Sequence, residues 1–322
     1  MSRCSRLITT VAALVALSNA HASLSVDLGV ASQFSALTFG SFTGYAGDTG
    51  SLLAVGGNAA LTNWTVNDYG TAGYGQVDQS LIVGGSLNAT SGKLLGMTTS
   101  AGAQPGQAYV HGTATLSSFA VGSVVTGISP LNFEMLQSQL SGTSTATSQL
   151  AATGSVSYAG GSTQLTGSNR AVEVFNIDGA ELSQDTYLGS LGGLQSGATV
   201  ILNVSGADVK MEHFGVNLGA FAQPLNLLVN FYQATSLSFA SMALEGAVLA
   251  PWANVTGTDG HIGGTFIANS FSSVGVGDFE FHDLSFTPVI VPSPVPEPQT
   301  WLMLGVGLLA VAGARRAKRR AG

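Results

Sequence analysis

Asp278, Glu280 and His282 alternate in an Asp-Phe-Glu-Phe-His run near the end of the long middle region. In a strand, alternate side chains share a face, so two carboxylates and an imidazole stand together while Phe279 and Phe281 point the other way. That set could ligate a metal and is the one metal candidate; the solvent side of a closing strand is the favoured reading of it. Asp208, Lys210 and Glu212 alternate likewise, and a lysine between two acids makes a self-neutralising surface ladder. His111, His213, His261 and His282 are too scattered for a metal-binding helix motif. The Asp-x-Asp-x-Asp-Gly calcium loop and the Gly-x-Ser-x-Gly nucleophile elbow are both absent. The sequence therefore predicts no catalytic residues, no metal and no cofactor, and a protein that is not an enzyme. A polysaccharide hydrolase or lyase stays open as an alternative, because acids far apart in sequence can cluster in a β-helix.

The two ends carry a different chemistry, that of being cut. Arg3 and Arg6 precede an apolar run from Leu7 to Leu17, and Ala20-His21-Ala22 follows. This is the charged, apolar and small-residue order of a secretory signal peptide, with Ala20 and Ala22 as the residues a signal peptidase accepts. The only cysteine, Cys4, lies in that leader. At the other end stand Val295, Pro296, Glu297 and Pro298, then apolar residues from Trp301 to Ala314, then Arg315, Arg316, Lys318, Arg319 and Arg320. Such an apolar stretch makes about 21 Å of helix, short of a ~30 Å hydrocarbon core. Snorkelling arginines extend it to a span and keep that end cytoplasmic. The three parts in this order resemble a PEP-CTERM sorting signal. The resemblance implies an exosortase as processing partner and cleavage near Pro296-Glu297-Pro298.

Removing both ends changes the charge balance. Of 10 basic residues only Lys93, Arg170 and Lys210 lie in residues 23–290, against all the acids except Glu297, so the region is strongly acidic. Such a surface repels nucleic acid and anionic lipid, and no nucleic-acid partner is expected. With 45% hydrophobic and 8% charged residues, the chain is too apolar for disorder. Its valines and leucines come in short runs broken by glycine, which reads as many short strands with tight turns.

Stepping along the chain, Val55-Gly56-Gly57 returns as Val83-Gly84-Gly85 and as Val110-His111-Gly112. Each unit pairs two short strands across a glycine corner, and stacked units can bury what one cannot. Between Ser129 and Ala152 the period changes: Phe133, Leu136, Leu140, Thr143, Thr147 and Leu150 fall at helical steps. Ser129 suits an N-cap and Pro130 the first helical position. This helix is expected to dock on the β-core. Strands resume at Ala171–Ile177, Thr199–Val204, Leu225–Phe231 and, as the closing one, Phe279–His282.

Val174-Phe175-Asn176-Ile177, Leu202-Asn203-Val204, Leu228-Val229-Asn230-Phe231, Gly246-Ala247-Val248-Leu249-Ala250-Pro251 and Gly263-Gly264-Thr265-Phe266 follow the Val-Gly-Gly units and the helix. This order resembles the choice-of-anchor A domain of bacterial surface proteins. In layout it is similar to ice-binding-like domains. The fold read from the sequence is mainly β: a right-handed parallel β-solenoid with one long α-helix alongside and a single C-terminal membrane helix, with a β-sandwich as runner-up. The organisation is a signal peptide over 1–22, a β-rich ectodomain over 23–287, a Pro-rich linker over 288–298, a transmembrane helix over 299–314 and a basic cytoplasmic tail over 315–322. Export through the inner membrane to the envelope, outer surface or matrix follows, with the membrane reached through the C-terminal helix.

The resemblances imply a structural or adhesive protein of the cell surface or biofilm matrix, with exopolysaccharide as a partner. Ice binding is an alternative. It needs Thr-x-Thr ranks on one face, and Thr62, Thr65, Thr113 and Thr115 form no such rank in sequence.

Overall fold

The short valine- and leucine-rich runs lie side by side and in parallel, many against runs 27 or 28 residues away and others against runs 16 to 19 residues away. A computed structural model describes residues 23–74, 79–218, 226–273 and 278–292. The leader, with Ala20 and Ala22, and the tail lie outside the described residues. So do Val295 to Pro298, the helix predicted over 299–314, and Arg315 to Arg320. Among the described residues no helix is long and apolar enough to cross a membrane.

Residues 24–291 form one compact unit. Most of its described strands belong to an 18-stranded sheet, beside a four-stranded and a two-stranded one. The large sheet contains two long parallel ladders. In the first, Ser123–Val125 pairs with Gln107–Val110, and then come Gln79–Val83, Leu52–Val55 and Phe34–Thr38. Next to Phe34–Thr38 lies residue 266 onward, followed by residues 247–249, Asn226–Phe231, Thr199–Ser205 and Val172–Asp178. The early strands thus stack directly on the late ones. In the second ladder the order is Ala114–Ala120, Leu87–Thr99, Ala59–Val66, Phe42–Thr49, residues 270–273, residues 254–258, Ser236–Leu244 and Asp208–Glu212. Pairing this consistently parallel is not that of an antiparallel sandwich.

Glycine corners join the ladders because the backbones of successive turns touch there. A Cβ added at Gly84 would sit 2.4 Å from the Gly56 carbonyl oxygen, and one at Gly85 would sit 2.6 Å from that of Gly57. The Gly84 and Gly85 N–H groups donate to Val55 and Gly57 at 2.7 and 2.9 Å. This close approach is the physical reason for the repeated Val-Gly-Gly.

Inward side chains fill one continuous core. Phe42, Trp64, Phe231, Phe266, Phe271, Phe279 and Phe281 are fully buried in it, with rings packed edge-on or tilted. Strands stacked in parallel need a return connection. Here it is a helix, α1 (Phe133–Ser148), carrying the chain from Ser123–Val125 at one end of the first ladder toward Val172–Asp178 at the other. Its start differs from the expectation. Asn132, not Ser129, is the N-cap, its side chain accepting from the Met135 N–H at 3.0 Å. Ser129 caps only the turn before, accepting from the Leu131 N–H, and Pro130 precedes the helix. The four-residue helix α2 (Gly179–Leu182) follows the Val172–Asp178 strand.

The C-terminal boundary also moves. Val289–Pro292, placed in the linker on the strength of its prolines, forms a strand paired with Ser23–Val26, and Val291 is buried. A β-branched Val-Ile-Val run outweighs the flanking prolines. Phe279–Leu284 is therefore not the closing strand.

Candidate functional site

Outward side chains of the two ladders differ in kind. On the first, Tyr109, Ile82, Ala54, Leu37, Ile267, Leu249, Leu228, Ile201 and Val174 form an apolar stripe in ladder order. All are buried in a second apolar cluster that also holds Leu136 and Leu140 of α1. A polar ladder completes the joint. Asn176, Asn203 and Asn230 are in register, 27 residues apart. The Asn230 amide donates to Asn203 Oδ1 and to the Ser144 carbonyl, both at 2.9 Å, while Ser144 Oγ lies 2.6 Å from Asn230 Oδ1. Asn203 donates to the Thr147 carbonyl at 3.0 Å. This face is occupied by its own helix.

Among the described residues nothing covers the second ladder. Thr115, Asn88, Ala60, Thr43, Ser272, Thr256 and Ser238 stand opposite one another in one rank, ending at Lys210. Ser117, Thr90, Thr62 and Tyr45 form a second rank, two residues along the same strands. Their inward neighbours Leu61, Ala89, Phe42, Phe271, Val255 and Leu237 are buried. Seven spacings of ~4.8 Å make the eight-stranded face about 34 Å long. Apart from the Asp208–Glu212 strand at its end, its ranks carry no charge. A shallow groove of about 360 Å³ runs along it, lined by Ser41, Thr43, Asn58, Ser86, Asn88 and Thr115, among others. Local hydrogen bonds hold the corner residues: Asn58 accepts from the Ser86 N–H at 2.8 Å, and Asn254 accepts from Ser270 at 2.7 Å and Asn269 at 2.8 Å. The arrangement offers a flat array of fixed hydroxyls and amides rather than a reaction centre.

Of the threonines considered from the sequence, Thr62 and Thr115 lie in these ranks and Thr113 lines the groove. Thr65 lies beyond the corner, between Asp48 and Lys93. The ranks are built from residues on different strands, so the short runs Thr113-Ala114-Thr115 and Thr256-Gly257-Thr258 do not by themselves show them.

The alternating acids and histidine lie beyond that corner, on and just before a separate strand that pairs with the later parts of two ladder strands. Glu280 and His282 point outward from Phe279–Leu284 with His282 Nε2 3.3 Å from Glu280, and Asp278 precedes the strand. His282 stacks on His261 at a ring distance of 4.5 Å, and His261 Nε2 lies 2.8 Å from Glu245. Burial, then Glu280 and Asp68 nearby, push the Asp48 carboxyl up to about 6. Asp68 in turn pairs with Lys93 at 3.5 Å. Each imidazole is thus paired with a glutamate, and among the described residues no three acid, histidine or cysteine side chains are arranged to hold a metal. Asp208, Lys210 and Glu212 are exposed on the last strand of the open face, with Val209 and Met211 buried behind them.

Residues 27–282 match the family described as ice-binding-like adhesive domain. The chain belongs to this family. Residues 294–319 match the PEP-CTERM protein-sorting motif, which implies processing by an exosortase. Together the two matches support an exported protein of the cell surface. The crystal structure of an ice-binding protein from the Antarctic ascomycete Antarctomyces psychrotrophicus is similar at 14% identity, with a TM-score of 0.39, over 81% of this chain and 100% of that one. No curated protein matches the chain.

Proposed function

We propose that this adhesive-domain protein is a structural or adhesive component of the cell surface or exopolysaccharide matrix, and that the uncovered Ser/Thr/Asn ladder is its adhesive face. The observation that carries the reading is the uncharged rank from Thr115 to Ser238, left open while the neighbouring ladder is covered by α1. A neutral polymer rich in hydroxyls can form many weak hydrogen bonds to such a surface, without the long-range attraction that an acidic domain would deny to an anion. The parallel registers support the finer fold reading, a right-handed β-solenoid with α1 alongside. The order of the Val-Gly-Gly, Val-Phe-Asn-Ile and Gly-Ala-Val-Leu-Ala-Pro segments supports kinship with choice-of-anchor A domains. In this reading a signal peptidase cuts after Ala22. The segment over 299–314 then holds the chain in the membrane until the exosortase acts near Pro296-Glu297-Pro298. No catalytic step is assigned.

The test is co-sedimentation of the exported protein with the exopolysaccharide of its own host, together with biofilm scoring of a deletion strain. Saturable binding and a weaker biofilm are expected. Absence of both would sink the adhesive reading. A second reading, binding of ice or ordered surface water, draws on the same flat ranks and on the family's description. Partition of the protein into slowly growing ice, with no retention on polysaccharide, would favour it.

A further inference from the structure

The two ends of the stacked strands are finished differently. At the Val172–Asp178 end the free edge is closed. Thr153 N–H donates to the Val174 carbonyl at 2.9 Å, and Thr153 Oγ1 accepts from the Val174 N–H at 2.9 Å. The fully buried Glu173 carboxylate accepts from Thr153, from the Ser168 N–H at 2.7 Å and from the Arg170 N–H at 2.9 Å. Ser183, just after α2, accepts from the Lys210 N–H at 3.0 Å, and Tyr158, in the antiparallel pair Ser155–Ala159 and Ser162–Thr166, accepts from the Asp178 N–H at 2.7 Å.

At the opposite end, among the described residues, Ala114–Ala120 is in register only with Leu87–Thr99, and Ser123–Val125 only with Gln107–Val110. The positions that point into the core elsewhere are open here: Ala114 is exposed and Leu116 is 36% exposed, opposite the buried Leu87 and Ala89. Ile128, in the turn that follows, is 97% exposed. From Leu94 to Phe133 the chain has no Asp, Glu, Lys or Arg, in a domain that is otherwise strongly acidic. Proteins normally blunt a free strand edge with charge, proline or a covering element, and the 114–120 strand has none of these.

We infer that the Ala114–Ala120 edge pairs with the same edge of a second copy of this chain. A strand edge is satisfied by another strand. Along the uncharged strip two acidic domains can meet without acids opposing one another at the contact. The other end is closed, so head-to-tail stacking is blocked and the contact is edge to edge about a two-fold axis, which gives a pair rather than a fibre. Such a pair carries the Thr115 and Ser117 ranks of one copy on into those of the other, doubling the length of the open face.

Cys4 is the only cysteine and precedes the domain, so introduced cysteines report the contact. Ala114→Cys, Thr115→Cys, Leu116→Cys and Ser117→Cys are placed singly in the full-length chain, exported by its host, oxidised and resolved without reductant. At least one is expected to run mainly at twice the monomer mass, and adding Lys at a neighbouring edge position should cut that cross-link at least tenfold. Ser157→Cys, exposed on the closing hairpin, and the unsubstituted chain should stay monomeric. Monomer for all four edge variants overturns the inference. So does equal cross-linking of Ser157→Cys, since association through the tail would link both ends alike. Hydrogen exchange on the unsubstituted chain guards against variants that fail to fold: amides of residues 114–120 should exchange more slowly at high protein concentration than at low, and concentration-independent exchange also overturns it.

Discussion

The covered and the uncovered ladders share one backbone plan and one core, yet only one of them accepts the helix. Both stack parallel strands, and both present an alternate residue outward. Outward Ile201, Leu228, Leu249 and Ile267 make a stripe that gains by leaving water, so α1 lies on it. Outward Thr43, Asn88, Thr115 and Thr256 gain nothing by being covered with an apolar helix face, and they stay in solvent. Side-chain type at one position in two, not backbone geometry, thus decides whether such a face closes the fold or remains free to bind.

The largest expected effect tests that contrast by placing the same charge on each face. Leu140→Asp removes a fully buried side chain of α1 and buries a carboxylate, and should lower stability by several kcal/mol, ~3–5. Thr62→Asp on the open face should change it by less than ~0.5 kcal/mol. Denaturant midpoints of the two variants are the measurement, and similar losses for both would erase the distinction. Next comes the polar joint. Asn230→Ala leaves the buried Ser144 hydroxyl and the Asn203 carbonyl without a partner and should cost ~1–3 kcal/mol. A melting temperature unchanged by it would mean that the apolar stripe alone seats the helix.

A smaller effect concerns the acidic stretch beyond the corner. The Asp48 carboxyl is raised to about 6 in the folded chain, by burial first and Glu280 next, from an ordinary value of 3.8. Between those two values the folded state holds a proton that the unfolded state has released, so stability falls as pH rises through that window. Above pH ~6 the penalty is complete. Asp48→Asn should therefore stabilise the protein at pH 7.5, by ~1 kcal/mol after allowing for solvent screening, and leave it little changed at pH 4. Melting curves at the two pH values check it, and an equal shift at both would exclude the titration.

Much of this layout was legible in the residues. Phe133, Leu136 and Leu140 at helical steps gave the helix, and Val-Gly-Gly gave the corners. The cap is not specified locally, because Ser129 and Asn132 are equally able acceptors, and only the backbone path decides which one the helix uses. Asn176, Asn203 and Asn230 were visible as parts of recurring segments. Their role as a hydrogen-bonded column depends on a 27-residue register that local patterns do not fix. The open face was hidden more deeply. Its rank joins Thr43 to Ser272, two residues at opposite ends of the domain, because the first strands stack on the last ones. No periodic signal links them.

The central claim, that the uncovered ladder is the adhesive surface, is tested most directly by charge placed in its ranks. Thr43→Glu with Thr62→Glu on the open face is compared with Thr145→Glu on the exposed side of α1, each in the full chain and each assayed for binding to the host exopolysaccharide. At least a tenfold loss of affinity is expected for the open-face pair, no loss for the helix variant, and unfolding midpoints close to that of the unsubstituted protein for both. Undiminished binding by a folded Thr43→Glu, Thr62→Glu protein would contradict the claim.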